Sequence, residues 1–537
     1  MKKITSFILL GSLLLLNSCA KKEKIKNTPE EKQKPITFVL YSADQESELT
    51  FTDSIAQIIT EKTGVTLQIQ GPVDDVTQDI QLMIANHNFP DLIYAKSDIS
   101  KLIDSRCVIP LDEYIEKYGK NVKQLYGDQL NRLRNTLSDP QIYTFGTYPI
   151  KDQAIEISGN IQLQNAVLRE FGYPQIKTLN DLENILKAYK AKYPEIEGKK
   201  TVGMSILTDS WHWLLGLSNP GNFVIGYPDD GEWIIDQETF SAQYKFLNPQ
   251  MDTYYRWLNK IYHEGLLDPE SFTQSPEAYR AKLATGTVLC TTYPHWGLED
   301  VHRSLVAEDR VERTFAFLPI TAAEKYKDPS LKDYGFSGGW GIAISVTCKD
   351  PLRAFMFMDF MCSEEAQILT NWGVKGVDYF YDSTGKRFSA TIPKSTGIVT
   401  WTYPFPEAGP GYIDSTGNPI GRSSKDVVIR RYNSAQRETL KAYGAECWPD
   451  LFPSSEELGV SKHGQLWKYT LSAKNQEILD NCDAYVKQEL IKMIVGPEQK
   501  FDSSWTNMQE TIKSMGISKV EKELTSLIEV KRALWNY

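Results

Sequence analysis

Between Ile36 and Ile69 the chain spells a strand, a helix and a second strand, and that succession limits what the rest can become. Ile36 to Tyr41, ITFVLY, is a continuous apolar run without alternation, the pattern of a strand buried on both faces of a parallel sheet. Leu49 to Lys62 has helical spacing and is stopped by Gly64, and Val65 to Ile69 is extended again. Two such strands joined through a helix pair in parallel by a right-handed crossover, so an open α/β sheet is expected. Asp75 to Asn86 predicts another helix, and Pro90 to Tyr94 turns into a third strand. A chain of 537 residues exceeds one ordinary core, so this sheet should belong to one of at least two lobes.

A second organised stretch runs from Asp333 to Phe388. Gly335 to Gly341, with Trp340 inside it, reads as a glycine-rich turn leading into a short strand, Ile342 to Val346. Asp350 is placed to cap a helix whose first residue is Pro351. Its apolar positions Ala354, Phe355, Met358 and Met361 recur at helical spacing until Gly373 ends the run. Gly338, Gly339 and Gly341 lack a Cβ, so their amides could approach a ligand closely while Trp340 offers a flat face. A tight turn around a core tryptophan describes these residues equally well.

At the amino end, Lys2 and Lys3 precede an apolar run, Ile8 to Leu16, too short to span a bilayer, so residues 1–18 are expected to be a signal peptide. Leu16-Asn17-Ser18-Cys19 follows and resembles a bacterial lipobox. That resemblance implies cleavage before Cys19, which becomes a diacylated first residue and anchors the protein outside the cytoplasm on the bacterial cell membrane. An ordinary signal peptide with a chance cysteine is the alternative. Residues 19–35 contain KKEKIKNTPEEKQK (Lys21 to Lys34), charged and almost without apolar side chains, and read as a flexible tether. Loss of Lys2 and Lys3 leaves 57 basic against 69 acidic residues, a formal charge of −12. That balance excludes non-specific binding to nucleic acid. Cys107, Cys290, Cys348, Cys362, Cys447 and Cys482 are scattered without a C-x-x-C pair, which supports neither a zinc knuckle nor a redox motif and leaves disulfides open.

Several segments resemble bacterial extracellular solute-binding proteins, the receptor components of ABC importers. EKTGVTLQI (Glu61 to Ile69), LMIANHNFPDLIYA (Leu82 to Ala95) and DPQIYTFGTYP (Asp139 to Pro149) resemble the first lobe and its exit. Tyr262-His263-Glu264-Gly265-Leu266-Leu267-Asp268-Pro269, Cys348 to Pro351, Ser363 to Glu365, Trp372 to Tyr379 and the closing helix Val495 to Ile517 extend the likeness from Ile36 to Tyr537. The resemblance, strongest to the large oligosaccharide-importer lipoproteins, implies an α/β, two-lobed periplasmic-binding-protein-like fold with a central cleft and interlobe hinge crossings. Lobe 1 is expected to hold 36–150 and 314–372, and lobe 2 151–313 and 373–537. The crossings fall near Pro149 to Gln153, near Arg313 to Ile320 and after Trp372. Where many relatives carry a calcium loop, this chain has Glu195 to Lys200, two carboxylates beside two lysines, so no metal is carried over.

No G-x-S-x-G, H-E-x-x-H, Walker or dinucleotide fingerprint is present, and the six histidines show no metal-ligand spacing, so neither catalysis nor a cofactor is expected. A sugar receptor needs a flat aromatic under each ring and polar groups at its rim. With 12 Trp and 28 Tyr the chain has material for this. Trp211, Trp213, Trp296, Trp340, Trp372 and the loop with Trp401, Tyr403 and Glu407 lie in turn-like or strand-end sequence and are the candidate ligand residues. Trp233, Trp257, Trp467 and Trp505 read as packing residues. Trp340 precedes its strand, whereas ligands lie beyond carboxyl ends, so its use depends on the glycine turn folding toward the cleft. The expected function is that of a monomeric substrate-binding lipoprotein that hands an oligosaccharide to the ABC permease. A helical-repeat glycan-binding lipoprotein and a secreted polysaccharide-degrading enzyme are the rivals.

Overall fold

The computed structural model describes residues 34–45, 49–73, 75–151, 157, 159–331, 335–390, 392–421, 424–460 and 462–535. The signal segment, Cys19, most of the tether, Gln153, Asp333 and Tyr334 lie outside the described residues.

Several helices begin where the sequence offers an acceptor for their free amides. Asp53 caps Ser54–Thr63, with Ala56 N donating to its carboxylate at 2.9 Å, and Gly64 closes it at a left-handed φ of 68°. That cap shortens the helix relative to the expected start at Leu49. Thr178 and Asp181 form a reciprocal capping box on Leu179–Lys192. The run after Asp350 is two helices, Pro351–Met361 and Glu364–Trp372, because Ser363 accepts from Ala366 N at 3.1 Å and caps a fresh start.

These helices cover two main sheets. The first has the order Val65–Gln70, Ile36–Ser42, Leu92–Tyr94, Ile342–Ile344, Thr144–Phe145. Its first three strands are parallel, whereas Ile342–Ile344 is antiparallel to both neighbours. The second has the order Phe315–Phe317, Ile161–Gln164, Val288–Thr292, Val202–Met204. Val288–Thr292 runs parallel to Val202–Met204 and antiparallel to Ile161–Gln164.

Two large cores follow the sheets, and they correct the expected lobe boundaries. Phe315–Phe317 pairs with Ile161–Gln164, and Thr321 N bonds to Lys177 O at 2.9 Å, so Thr314 to Ile320 stays with the second sheet. Leu331 still packs in the second core, and Phe336 is the first residue back in the other. Trp401, Phe405, Ala408 and Ile420 lie in the first core, so the chain does not leave that lobe after Trp372. Tyr432 belongs to the second core, which the helices Ala473–Val495, Phe501–Met515 and Ile517–Trp535 complete. Hydrophobic pattern shows that a segment is buried, but not which of two cores receives it.

Trp401 shows how firmly the 374–420 segment is built in. It is 2% exposed, sits edge-on to Phe51 at 4.6 Å and donates its indole N–H to Asp53 Oδ2 at 2.8 Å. Trp401→Ala is expected to lose roughly 3–5 kcal/mol of stability in chemical denaturation. Trp401→Phe should lose less, because the ring still fills the site while the Asp53 carboxylate loses one donor.

Candidate functional site

In an open α/β sheet, loops beyond the carboxyl ends of the strands form the natural binding edge. In the first sheet that edge carries Asp44, just past Ile36–Ser42, and Lys96, just past Leu92–Tyr94. Because Ile342–Ile344 runs antiparallel to Leu92–Tyr94, its amino end lies at the same edge, and Trp340 is delivered there by strand direction. The glycine turn serves packing more than ligand approach. Gly339 and Gly341 have φ of 75° and 76°, and a Cβ there would stand 2.7 Å from Thr147 Oγ1 and 2.6 Å from Phe145 O.

Around Trp340 the groups are tightly linked. Its ring is tilted against Tyr148 at 6.0 Å. Lys468 Nζ lies 4.8 Å from the Trp340 ring centre and 4.5 Å from that of Tyr148, and donates to Tyr148 Oη at 2.7 Å. Lys96 Nζ stands 6.0 Å from the indole and is paired with Asp44. Tyr403 donates to Asp44 Oδ2 at 2.7 Å and shares a short hydrogen bond with Tyr94. Burial, with the charges of Asp44 and Asp229, pushes the Tyr148 phenol up to about 12, so it is protonated at neutral pH. Burial likewise raises the Tyr94 and Tyr403 phenols. A cavity of about 90 Å³ lies alongside, lined by Ser42, Asp44, Ile69, Trp401 and Tyr403 among others.

The second sheet presents a row of rings at its carboxyl edge. After Val202–Met204 come Trp211 and His212, stacked at 4.1 Å and 24°. After Val288–Thr292 come Tyr293, 6.2 Å from His212, and Trp296, 5.8 Å from Tyr293. Trp211 and Trp296 are 52% and 51% exposed, while Tyr293 is buried beneath them. Burial lowers the His212 pKa, which favours an uncharged row at neutral pH. Thr292 pairs with Ile161, where the chain has just arrived from the first lobe. The aromatic row therefore stands on the edge where the lobes join.

The candidates separate accordingly. Trp211 and Trp296 stand at the carboxyl edge of the second sheet, and Trp340 and Tyr403 beside Asp44 and Lys96 at the edge of the first. Trp213 does not: it is 7% exposed and stacks on Phe246 at 6.2 Å within the second core. Trp372 is also a core residue, donating to Ile420 O at 2.6 Å with the Arg387 guanidinium 5.3 Å from its ring. Trp401 is held in the first core by Asp53 and Phe51. Glu407 is half-buried, and its carbonyl accepts from Ile150 N at 3.1 Å where the chain leaves the first lobe. The reading missed Asp44, Tyr94, Lys96, Tyr148, Tyr293 and Lys468. The strand-end rule could have found Asp44 and Lys96; Lys468 carries no local signal.

A cavity of about 600 Å³ lies elsewhere in the second lobe, lined by Arg169, Glu170, Tyr189, Tyr193, Glu197 and Arg313 among others. Two of its carboxylates are engaged, Glu170 with Lys192 and Tyr193, and Glu197 with Arg310 at 2.7 Å. Among the described residues no three His, Cys, Asp or Glu side chains are grouped to hold a metal. The six cysteines beyond Cys19 are buried and unpaired with one another.

Comparison with known proteins places this arrangement. Residues 54–374 match the bacterial extracellular solute-binding protein family. Lipoprotein LipO of Bacillus subtilis is 23% identical over 446 residues, 78% of this chain and 81% of the relative. Among solved structures, the S. pneumoniae ABC-transporter substrate-binding protein FusA in complex with kestose has a TM-score of 0.65 at 15% identity, covering 93% of this chain and 100% of that one. An HMO-binding solute-binding protein of Bifidobacterium longum infantis has a TM-score of 0.64 at 14% identity, covering 93% and 99%. With two separate main sheets and a family match over more than half its length, the chain belongs to the bacterial extracellular solute-binding proteins.

Proposed function

We propose that this protein is the substrate-binding lipoprotein of an ABC transporter, taking an oligosaccharide between its lobes and delivering it to a membrane permease. The observation that carries the reading is the placing of rings at the strand-end edges of both sheets: exposed Trp211 and Trp296 from one, half-buried Trp340 and exposed Tyr403 from the other. A pyranose or furanose ring has an apolar face that stacks on an indole and a rim of hydroxyls that needs donors and acceptors. Asp44, Lys96, Tyr148 and Tyr403 supply both kinds beside Trp340. The solved structures with kestose and with HMO-binding activity support the ligand class.

In this reading lobe 1 comprises residues 36–150 and 336–420, and lobe 2 residues 157–331 and 432–535, with three crossings between them as the hinge. Closure excludes water from the cleft and makes the loaded form distinguishable to a permease. Binding, not bond cleavage, is the role. Cys19 holds the lipid, and residues 19–33 let the receptor reach its partner. The curated relative is itself named a lipoprotein, which supports the anchor. Among the described residues no helix is long and apolar enough to cross a membrane.

Two outcomes test this. With the tightest ligand from a thermal-shift panel of oligosaccharides, Trp296→Ala or Trp211→Ala should weaken binding by about 1–3 kcal/mol in calorimetric titration, with little change in the unliganded melting temperature. Normal affinity with a lowered melting temperature would make either a packing residue, and release of shorter products from the panel would favour an enzyme. Cys19→Ser should move the protein from the membrane to the soluble fraction with its fold unchanged. Retention at the membrane would remove the anchor.

A further inference from the structure

Lys468 lies where the proposed function puts a sugar. Its neighbours Leu466 and Leu471 are buried in the second core, and Trp467 and Tyr469 pack against it. Lys531, on the helix Ile517–Trp535 of that core, donates to the Lys468 carbonyl at 2.5 Å. The backbone of Lys468 is thus fixed to the second lobe. Its side chain points the other way, to Tyr148 and Trp340, which both pack against the first core. Its ammonium spans the seam: 2.7 Å from Tyr148 Oη, 4.5 Å from the Tyr148 ring centre and 4.8 Å from that of Trp340. A cation over two electron-rich faces, with a hydrogen bond to one of them, is a directional contact. It also occupies a face of the indole on which a sugar ring would stack, and both cannot hold that face at once.

We propose that Lys468 is a built-in cross-cleft latch, which ties the unliganded lobes together through Tyr148 and Trp340 and is displaced when ligand takes the indole face. The inference rests on the reading of Trp340 as a ligand platform, but the tie itself exists without any ligand. Ligand then exchanges one occupant of Trp340 for another, and the fraction of molecules with the latch engaged lowers the apparent affinity by that fraction. A second link crosses the same seam, since Arg132 stacks on Trp535 at 4.7 Å and Asn131 donates to Leu534 O at 3.3 Å. Neither pair touches the Trp340 indole, so ligand does not compete with them directly.

The test uses no sugar, so its failure is separable from failure of the oligosaccharide reading. Nitroxide labels are placed at Leu82→Cys and Val306→Cys, exposed helical positions in opposite lobes, in a full chain carrying Cys19→Ser; the other six cysteines are buried. Pulsed dipolar spectroscopy then reads the interlobe distance. Lys468→Met keeps the chain length but removes the charge, and should add a population several ångströms longer than in the parent. Lys468→Arg, which retains a stacking cation, should restore the short distance. A distribution for Lys468→Met that superimposes on the parent overturns the latch. Should Lys468→Met not fold, Lys468→Gln, which likewise removes the charge, is read by the same criterion.

Discussion

The place of Trp340 depends on the direction of one three-residue strand. Ile342–Ile344 enters the first sheet between Leu92–Tyr94 and Thr144–Phe145, antiparallel to both. The chain reaches it from the second lobe, so it arrives at the edge nearest that lobe and runs away from it. This reversal places the residue before the strand, Trp340, beside the residues that follow the parallel strands, Asp44 and Lys96. A parallel insertion would carry the same tryptophan to the far edge, remote from the cleft. The glycines at 339 and 341 accommodate the entry because a Cβ at either would collide with the 144–147 segment.

Charge at this edge is organised around Asp44. It pairs with Lys96 and accepts from Tyr403, while Tyr94 shares the Tyr403 hydroxyl. A carboxylate with an ammonium and a phenol on it is held in one orientation, and it fixes two polar groups that a hydroxyl-rich ligand would meet. The opposite edge is built differently. The row Trp211, His212, Tyr293 and Trp296 touches by ring faces and edges, with the outer two half-exposed. The edge of the first sheet thus gathers hydrogen-bonding groups around a single indole, and that of the second gathers mostly ring surface.

Local features were readable from the sequence where they depend on near neighbours. The cap at Asp350 and the strands and helix of the β-α-β opening rest on residues within a few positions of one another. What failed depends on distant partners. Phe315–Phe317 is as apolar as any strand of the first sheet, but its ladder is with Ile161–Gln164. Trp211 and Trp213 are two residues apart in one Trp-His-Trp run; the local helical turn points one toward the cleft and the other onto Phe246. Lys468 sits outside any helix or strand, and only the folded seam between the lobes reveals what it touches.

The chain passes between cores three times, and neither core is contiguous. The first needs Ile36 through Ile150 and then Phe336 through Ile420, with the whole of 157–331 between them. Pairing Ile342–Ile344 with Leu92–Tyr94 closes a loop of more than two hundred residues, and such closures slow folding more than they cost in stability. During synthesis or export, the opening strands emerge long before their partners and present an unpaired edge in the interval. Until Ile342–Ile344 has emerged, that edge lacks the strand that covers it and is open to pairing with other chains.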